Sequence, residues 1–156
     1  MPETLAKARI SDDLYDRDFY EWTVVQARAL RDVRPTELDW ENLAEEIESL
    51  GRSARSELRS RMTVLLQHLL KWEYQPEARS NSWAASILEQ RQRIAEAIEE
   101  SPSLRSYPAL VVEKEYRIAR LRAAGDTDLP VELFPADCPY SSADILREDF
   151  FPGREA

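Results

Sequence analysis

The chain has 156 residues, of which 43% are hydrophobic and 33% are charged, and this balance predicts a folded protein rather than a disordered segment. Its formal net charge of −9 argues against nucleic acid as a partner, because binding to the phosphate backbone depends on clustered lysine and arginine. The single cysteine, Cys138, excludes an internal disulfide and suits a reducing compartment.

The N-terminal residues 1–13 are predicted to form a flexible polar lead, and they lack the apolar run of a signal peptide. No stretch of the sequence approaches the ~18 consecutive apolar residues that are needed to cross a bilayer. We therefore expect a cytoplasmic protein that does not contact a membrane. One helical domain is predicted over residues 14–152, followed by a short tail at 153–156.

Apolar residues recur at intervals of three and four, and only 3 glycines occur, so helices are predicted throughout. The first helix ends before Pro35. The second begins after Thr36 or Asp39, and Gly51 is expected to end it. The third runs to Pro76. Because the connection at Gly51 is very short, the second and third helices are predicted to pack antiparallel as a central hairpin.

Further helices are predicted after this hairpin. A fourth follows a polar interval near Ser80, and a fifth runs from about Pro108 to Ala124, where Gly125 is expected to end it. Three prolines in residues 126–140 leave little room for regular structure, and a short last helix follows. Gln90 lies on the apolar line of the fourth helix and should bridge to a neighbouring helix, because an unpaired buried amide costs about 1–3 kcal/mol.

The predicted fold is therefore all-α, a single-domain bundle of five to six helices around a central antiparallel helical hairpin. Large apolar residues on the helix stripes are predicted to form its core. These residues are Phe19, Trp22, Trp40, Leu43, Ile47, Leu65, Leu69, Trp72, Trp83 and Ile94.

Several segments of the sequence carry a resemblance to a known family. They are YDRDFYEW, LDWENLAEEIESLG, LLQHLLKWEYQPE, SWAASILEQRQRI, SPSLR and FPADCPYS. In this order they resemble the bacterial family of unknown function called DUF29, over roughly residues 14–152. The resemblance implies an α-helical bundle from bacteria, and it implies no activity.

A polar strip beside the apolar seam of the third predicted helix is the first candidate site. His68 is the only histidine, and it lies seven residues from both Arg61 and Gln75. If the second helix packs antiparallel there, Asp39 and Glu46 would face this strip. A carboxylate beside an imidazole can begin acid–base chemistry or metal binding. The same charges can instead pair across the helix seam to fix its register.

A cluster of arginines around Gly51 is the second candidate site. Arg52, Arg55 and Arg59 suit the negative end of the second predicted helix, or they could bind an anion. No metal or cofactor is predicted: a di-iron bundle needs several Glu-x-x-His motifs, whereas His68 is alone, and Cys138 has no partner ligand for zinc.

The absence of a catalytic motif favours a non-enzymatic module that docks a protein partner or itself. The acidity of the chain supports this interpretation, as do apolar residues outside the main helix stripes, such as Leu110 and Leu121. One version is an acidic neutralising partner of a basic protein, similar in role to an antitoxin. The alternative is an unrecognised enzyme or small-ligand binder that uses the polar cluster of Glu46, Arg61, His68 and Gln75.

Overall fold

The computed structural model describes residues 14–153, and that range contains helices and no strand. The helices are α1 (Phe19–Arg31), α2 (Trp40–Tyr74), α3 (Asn81–Glu100), α4 (Tyr107–Thr127) and α5 (Ser142–Leu146), and residues 14–17 form a helical turn before α1. Short 3₁₀ turns occupy Pro35–Glu37, Pro76–Ala78, Pro102–Leu104 and Val131–Leu133. The all-α class is confirmed, whereas the predicted lead at 1–13 and the tail residues 154–156 lie outside the described residues.

Side-chain caps explain where several helices begin. The carboxylate of Asp18 accepts a hydrogen bond from the backbone N–H of Glu21 at the start of α1. Ser80 caps α3 and Ser141 caps α5 in the same way, each by accepting from the N–H three residues ahead. Such caps pair backbone donors that the first helical turn leaves open, so these starts are fixed by local sequence.

The central hairpin prediction is wrong, because α2 is one continuous helix of 35 residues. Gly51, expected to end the second helix, lies inside α2, and Gly125, expected to end the fifth, lies inside α4. A glycine costs a helix only about 1 kcal/mol relative to alanine. Around Gly51 exposed ion pairs of Arg52 with Glu45 at 2.7 Å and with Glu48 at 3.9 Å offset part of this cost.

The chain divides into two compact units, Met1–Ser53 and Ala54–Ala156, and α2 runs from the first into the second. In the first unit, Trp22, Gln26 and Ala29 form the buried side of α1. The predicted single domain over residues 14–152 stays a prediction.

The second unit contains a continuous apolar core. It is built from the C-terminal half of α2, from α3 and α4, and from the segment that follows them. Its fully or nearly fully buried members are Leu58, Met62, Leu65, Leu66, Leu69, Leu70, Trp72, Ile87, Ile94, Tyr116, Ala119, Ala123, Phe134, Tyr140 and Ile145.

The proline-rich loop and the C-terminal segment are attached to this core by hydrogen bonds from long side chains. The Tyr116 hydroxyl donates to the carbonyl of Pro135 at 2.6 Å, and Arg120 donates twice to the carbonyl of Phe134 at 2.9 and 3.1 Å. The Tyr140 hydroxyl donates to the carboxylate of Glu73. These bonds order a segment with little regular structure of its own.

Arg91 holds the last part of the chain in place. Its side chain is 5% exposed, and its guanidinium donates to the carbonyl of Ile145 at 2.8 Å, of Glu148 at 3.2 Å and of Phe150 at 2.7 Å. The same guanidinium lies 5.5 Å from the ring centre of Phe151. Burial lowers the pKa of Arg91 to about 10, so it remains a cation at neutral pH.

The predicted core is confirmed in the second unit and largely wrong in the first. Leu65, Leu69, Trp72 and Ile94 are buried, as is Trp22 of the first unit. In contrast, Phe19, Trp40 and Ile47 of the first unit are 50%, 63% and 67% exposed and Leu43 is half-buried, whereas Trp83 of the second unit is half-buried and packs against the core. The prediction that Gln90 bridges to a neighbouring helix is confirmed, because it accepts a hydrogen bond from Arg61 of α2 at 3.3 Å.

Candidate functional site

The structure does not place the five residues of the predicted polar cluster on facing helices, because all but Asp39 and Gln75 lie within α2 and these two flank its ends. Asp39 and Glu46 have partners in the first unit, and Arg61, His68 and Gln75 have partners in the second. The function of these residues stays a prediction, but the antiparallel contact from which it was argued does not exist.

Asp39 is a buried residue that fixes the start of α2. Its carboxylate accepts from the indole Nε1 of Trp22 at 3.1 Å and from Nδ2 of Asn42 at 2.8 Å. Its backbone N–H donates to Oε1 of Gln26 at 2.8 Å. These bonds account for its burial without a ligand.

Glu46 lies two turns further along α2, and its carboxylate accepts a hydrogen bond from the hydroxyl of Tyr15. This bond, followed by burial, raises the pKa of Tyr15 to about 12, so the phenol stays protonated. Glu46 therefore serves a contact within the first unit.

His68 lies in the second unit, half-buried on α2. Its Nδ1 is 2.9 Å from the carbonyl oxygen of Val64 and carries the proton, because a carbonyl oxygen only accepts. Burial lowers the pKa of His68 below 6.5, against a smaller opposing effect of this hydrogen bond. The imidazole is therefore neutral at pH 7.

The carboxylate of Asp126 lies near His68. It accepts from Gln67 at 2.6 Å and from the ammonium of Lys71 at 3.2 Å. Burial alone raises the pKa of Asp126, but these two hydrogen bonds together with the positive charge of Lys71 lower the pKa overall. Lys71 also lies 4.7 Å from the ring centre of Trp83, so its buried charge has both an anionic and an aromatic partner.

The other two members of the polar strip bind different partners. Arg61 donates to the carboxylate of Glu57 at 2.8 Å and to Gln90 at 3.3 Å. The amide of Gln75 lies 3.5 Å from the carbonyl of Thr127. Arg61 and Gln75 thus connect α2 to two different groups, whereas the hydrogen bond of His68 stays within α2.

The predicted anion patch is also engaged within the chain. Arg52 pairs with Glu45, and the guanidinium of Arg55 lies 5.4 Å from the ring centre of Tyr107. Arg59 donates to the Tyr107 hydroxyl at 2.9 Å and lies 4.0 Å from the buried carboxylate of Glu115. Arg55 and Arg59 thus share Tyr107 as a partner, and an anion-binding role of the three arginines stays a prediction.

Sequence reasoning misassigned a different surface, the apolar side of the N-terminal part of α2. Trp40, Ile47 and Leu50 are 63%, 67% and 71% exposed and recur at intervals of seven and three, which places them on one side of the helix. Glu41 and Glu48 are exposed beside Trp40 and Ile47, on one flank of this side. We call these five residues the acidic apolar face.

A signal for this exposure was present in the sequence. Between Gly51 and Glu57 no large apolar residue continues the stripe, and Glu45, Glu48 and Arg52 are spaced as partners on one helix. The apolar stripe is thus interrupted over residues 51–57 and resumes at Leu58.

A surface depression of about 420 Å³ runs along one side of α1. Its lining is Thr23, Val24, Ala27, Arg28, Arg31 and Asp32. None of the predicted site residues lies in that lining.

Two further properties concern residues 14–153 alone. In that range no three histidine, cysteine, aspartate or glutamate side chains lie together in a way that could hold a metal ion. No helix of the same residues combines the length and the apolar character that a membrane span requires.

The described part of the chain is thus an all-α protein whose predicted polar residues have partners within the chain and whose α2 presents an exposed acidic apolar face. The chain belongs to the family described as domain of unknown function DUF29, whose model matches residues 14–151. This match confirms the resemblance seen in the sequence, and the family description assigns no activity. No curated protein and no solved structure matches the chain.

Proposed function

We propose that the chain is a non-enzymatic protein-interaction module of the bacterial cytoplasm and that it docks a protein partner on its acidic apolar face. The observation that carries this proposal is the exposure of Trp40, Ile47 and Leu50 on one side of α2. Large apolar side chains in contiguous exposed positions are typical of interaction sites.

The energetics support such a role. Full burial of a large apolar side chain stabilises a contact by roughly 1.5–3 kcal/mol relative to exposure. Tryptophan is also enriched among the few residues that dominate binding energy at protein interfaces. Trp40 and Ile47 are therefore the expected anchors of the contact.

The charges around this face define the chemistry of the partner. Glu41 and Glu48 lie beside Trp40 and Ile47, and residues 37–50 contain six acidic residues and no lysine or arginine: Glu37, Asp39, Glu41, Glu45, Glu46 and Glu48. A partner helix with an apolar stripe and flanking cations would match this face in shape and charge. An acidic neutralising partner of a basic protein, similar to an antitoxin, is one version of this role.

The alternative function, an enzyme or ligand binder, rests on Glu46 facing a strip of Arg61, His68 and Gln75 across a helix hairpin. With α2 continuous, that contact has no support in the fold. The interaction module is therefore the function that the geometry supports best.

Capture from a lysate of the source bacterium tests this proposal. The tagged full chain is compared with a Trp40→Ser/Ile47→Ser variant and with a control, Leu88→Ser, which changes an exposed apolar residue on α3. The expected result is a stoichiometric protein that the wild type and the control retain and the face variant loses. Retention by the face variant, or recovery of a bound metabolite and no protein, would contradict the proposal.

A further inference from the structure

A second exposed apolar surface lies on α4. Leu110, Ile118 and Leu121 are 77%, 41% and 64% exposed, and Lys114 and Arg117 are exposed beside them. Leu110, Lys114, Arg117 and Leu121 follow one another at intervals of four, three and four, so they share one side of the helix. We call these five residues the basic apolar face.

We propose that the partner of the acidic apolar face is the basic apolar face of a second copy of this chain. This inference rests on the proposed function and names its partner. The two faces together supply what the proposed contact needs, because one combines apolar residues with carboxylates and the other combines apolar residues with cations.

The charges on both faces are available for such a contact. Within residues 14–153, neither Lys114 nor Arg117 forms an ion pair, and Glu41 forms none either. Glu48 reaches only 3.9 Å from Arg52. An intermolecular contact would therefore pair these charges without breaking a short ion pair inside the chain.

The faces also match in length. At about 1.5 Å per residue, Trp40 to Leu50 spans about 15 Å and Leu110 to Leu121 spans about 17 Å. Each face has large apolar residues toward its ends, so two helices laid side by side would bury both sets together.

Pairing of unlike faces is favoured over pairing of like faces. Two acidic apolar faces would bring Glu41 and Glu48 against their own copies, and two basic apolar faces would do the same with Lys114 and Arg117. Like charges brought together at an interface are unfavourable, and this selects the unlike pair. Since the contact involves one helix from each copy, its area falls at the small end for protein interfaces, and we expect a reversible association that depends on concentration.

Charge reversal of each face tests the inference on the full chain. One variant, Glu41→Lys/Glu48→Lys, has two basic faces, and the other, Lys114→Glu/Arg117→Glu, has two acidic faces. All four positions are exposed, so circular dichroism should show that both variants fold. Each variant alone should lose self-association in sedimentation velocity by about tenfold or more in affinity, while an equimolar mixture of the two should associate again.

Specific outcomes would overturn the inference. A wild type that stays at the 18.1 kDa monomer at every concentration contradicts it, as does a mixture of the two variants that fails to associate. If either pair does not fold, the single changes Glu48→Lys and Arg117→Glu replace it and carry the same expectation. Lysate capture separates the two proposals, because a different protein lost by Trp40→Ser/Ile47→Ser would keep the proposed function while this inference fails.

Discussion

Replacement of Arg91 by methionine tests how the C-terminal segment is held. The change keeps most of the side-chain volume and removes three donated hydrogen bonds, to the carbonyls of Ile145, Glu148 and Phe150. A hydrogen bond to a charged group contributes roughly 1.5–3 kcal/mol. Desolvation of the guanidinium, which also lowers its pKa to about 10, cancels part of that sum. We therefore expect a net loss of about 3 kcal/mol in the free energy of unfolding.

Urea unfolding followed by circular dichroism measures this loss, and thermal unfolding should show a decrease in Tm of about 9 °C for a chain of this size. Arg93→Met is the matched control, because Arg93 lies on the same helix, is exposed and, among residues 14–153, forms an ion pair only with Glu96, at 3.3 Å. Its substitution should change stability by less than about 0.5 kcal/mol. A loss below about 1 kcal/mol for Arg91→Met would refute the role assigned to this guanidinium.

Further predictions concern the core, the exposed face and two titratable residues. Leu69→Ala should destabilise the fold by about 2–5 kcal/mol, whereas Trp40→Ser should cost less than about 1 kcal/mol because the indole is exposed. Urea unfolding of both variants measures this difference. Equal losses would contradict the assignment of Leu69 to the core and of Trp40 to the surface. Burial lowers the pKa of His68, so the unfolded chain binds a proton first as the pH falls. The contribution of His68 to the free energy of unfolding is complete above about pH 6.5 and is lost as the pH falls through the lower pKa of the folded state. His68→Gln should remove that part of the pH dependence of unfolding, and an unchanged profile would show that another group is responsible. Tyr140→Phe should cost about 1–2 kcal/mol in the same assay because Glu73 loses its donor, and a neutral effect would show that water replaces the hydroxyl.

Helix positions in the second unit could be predicted from the sequence because local signals and burial agree there. Ser80 caps α3, Pro76 follows the end of α2, and the stripe through Leu65 and Leu69 is buried as expected. Proline removes a backbone donor and fixes φ, which makes it a reliable stop. Periodicity and capping were sufficient wherever such signals coincided.

The join at Gly51 could not be predicted by the same means. Glycine weakens a helix by only about 1 kcal/mol, and no proline accompanies it, so the local sequence at Gly51 does not stop the helix. Periodicity showed that Trp40 and Ile47 share a side, but it does not show what covers that side. The contact of Asp39 and Glu46 with the strip around His68 was predicted from the hairpin and is lost with it, while the role of these residues stays a prediction.

Long-range contacts were the least predictable part of the structure. Arg91 reaches carbonyls more than fifty residues away, and Tyr116 reaches the carbonyl of Pro135. Neither contact can be predicted from a local sequence pattern, because a residue of any type can supply a backbone carbonyl. The opposite charges of the α2 and α4 faces were visible in the sequence, but their exposure needed the fold.

Photo-crosslinking at position 47 in living cells tests the central claim most directly, because it reports which molecule touches the acidic apolar face. A photoreactive amino acid replaces Ile47, and a matched replacement of Glu89, exposed on α3, serves as the control. We predict one discrete protein adduct at position 47, with the mass of two chains if the partner is a second copy, and none at position 89. No adduct at position 47, or the same adducts at both positions, would contradict the claim that this face binds a protein.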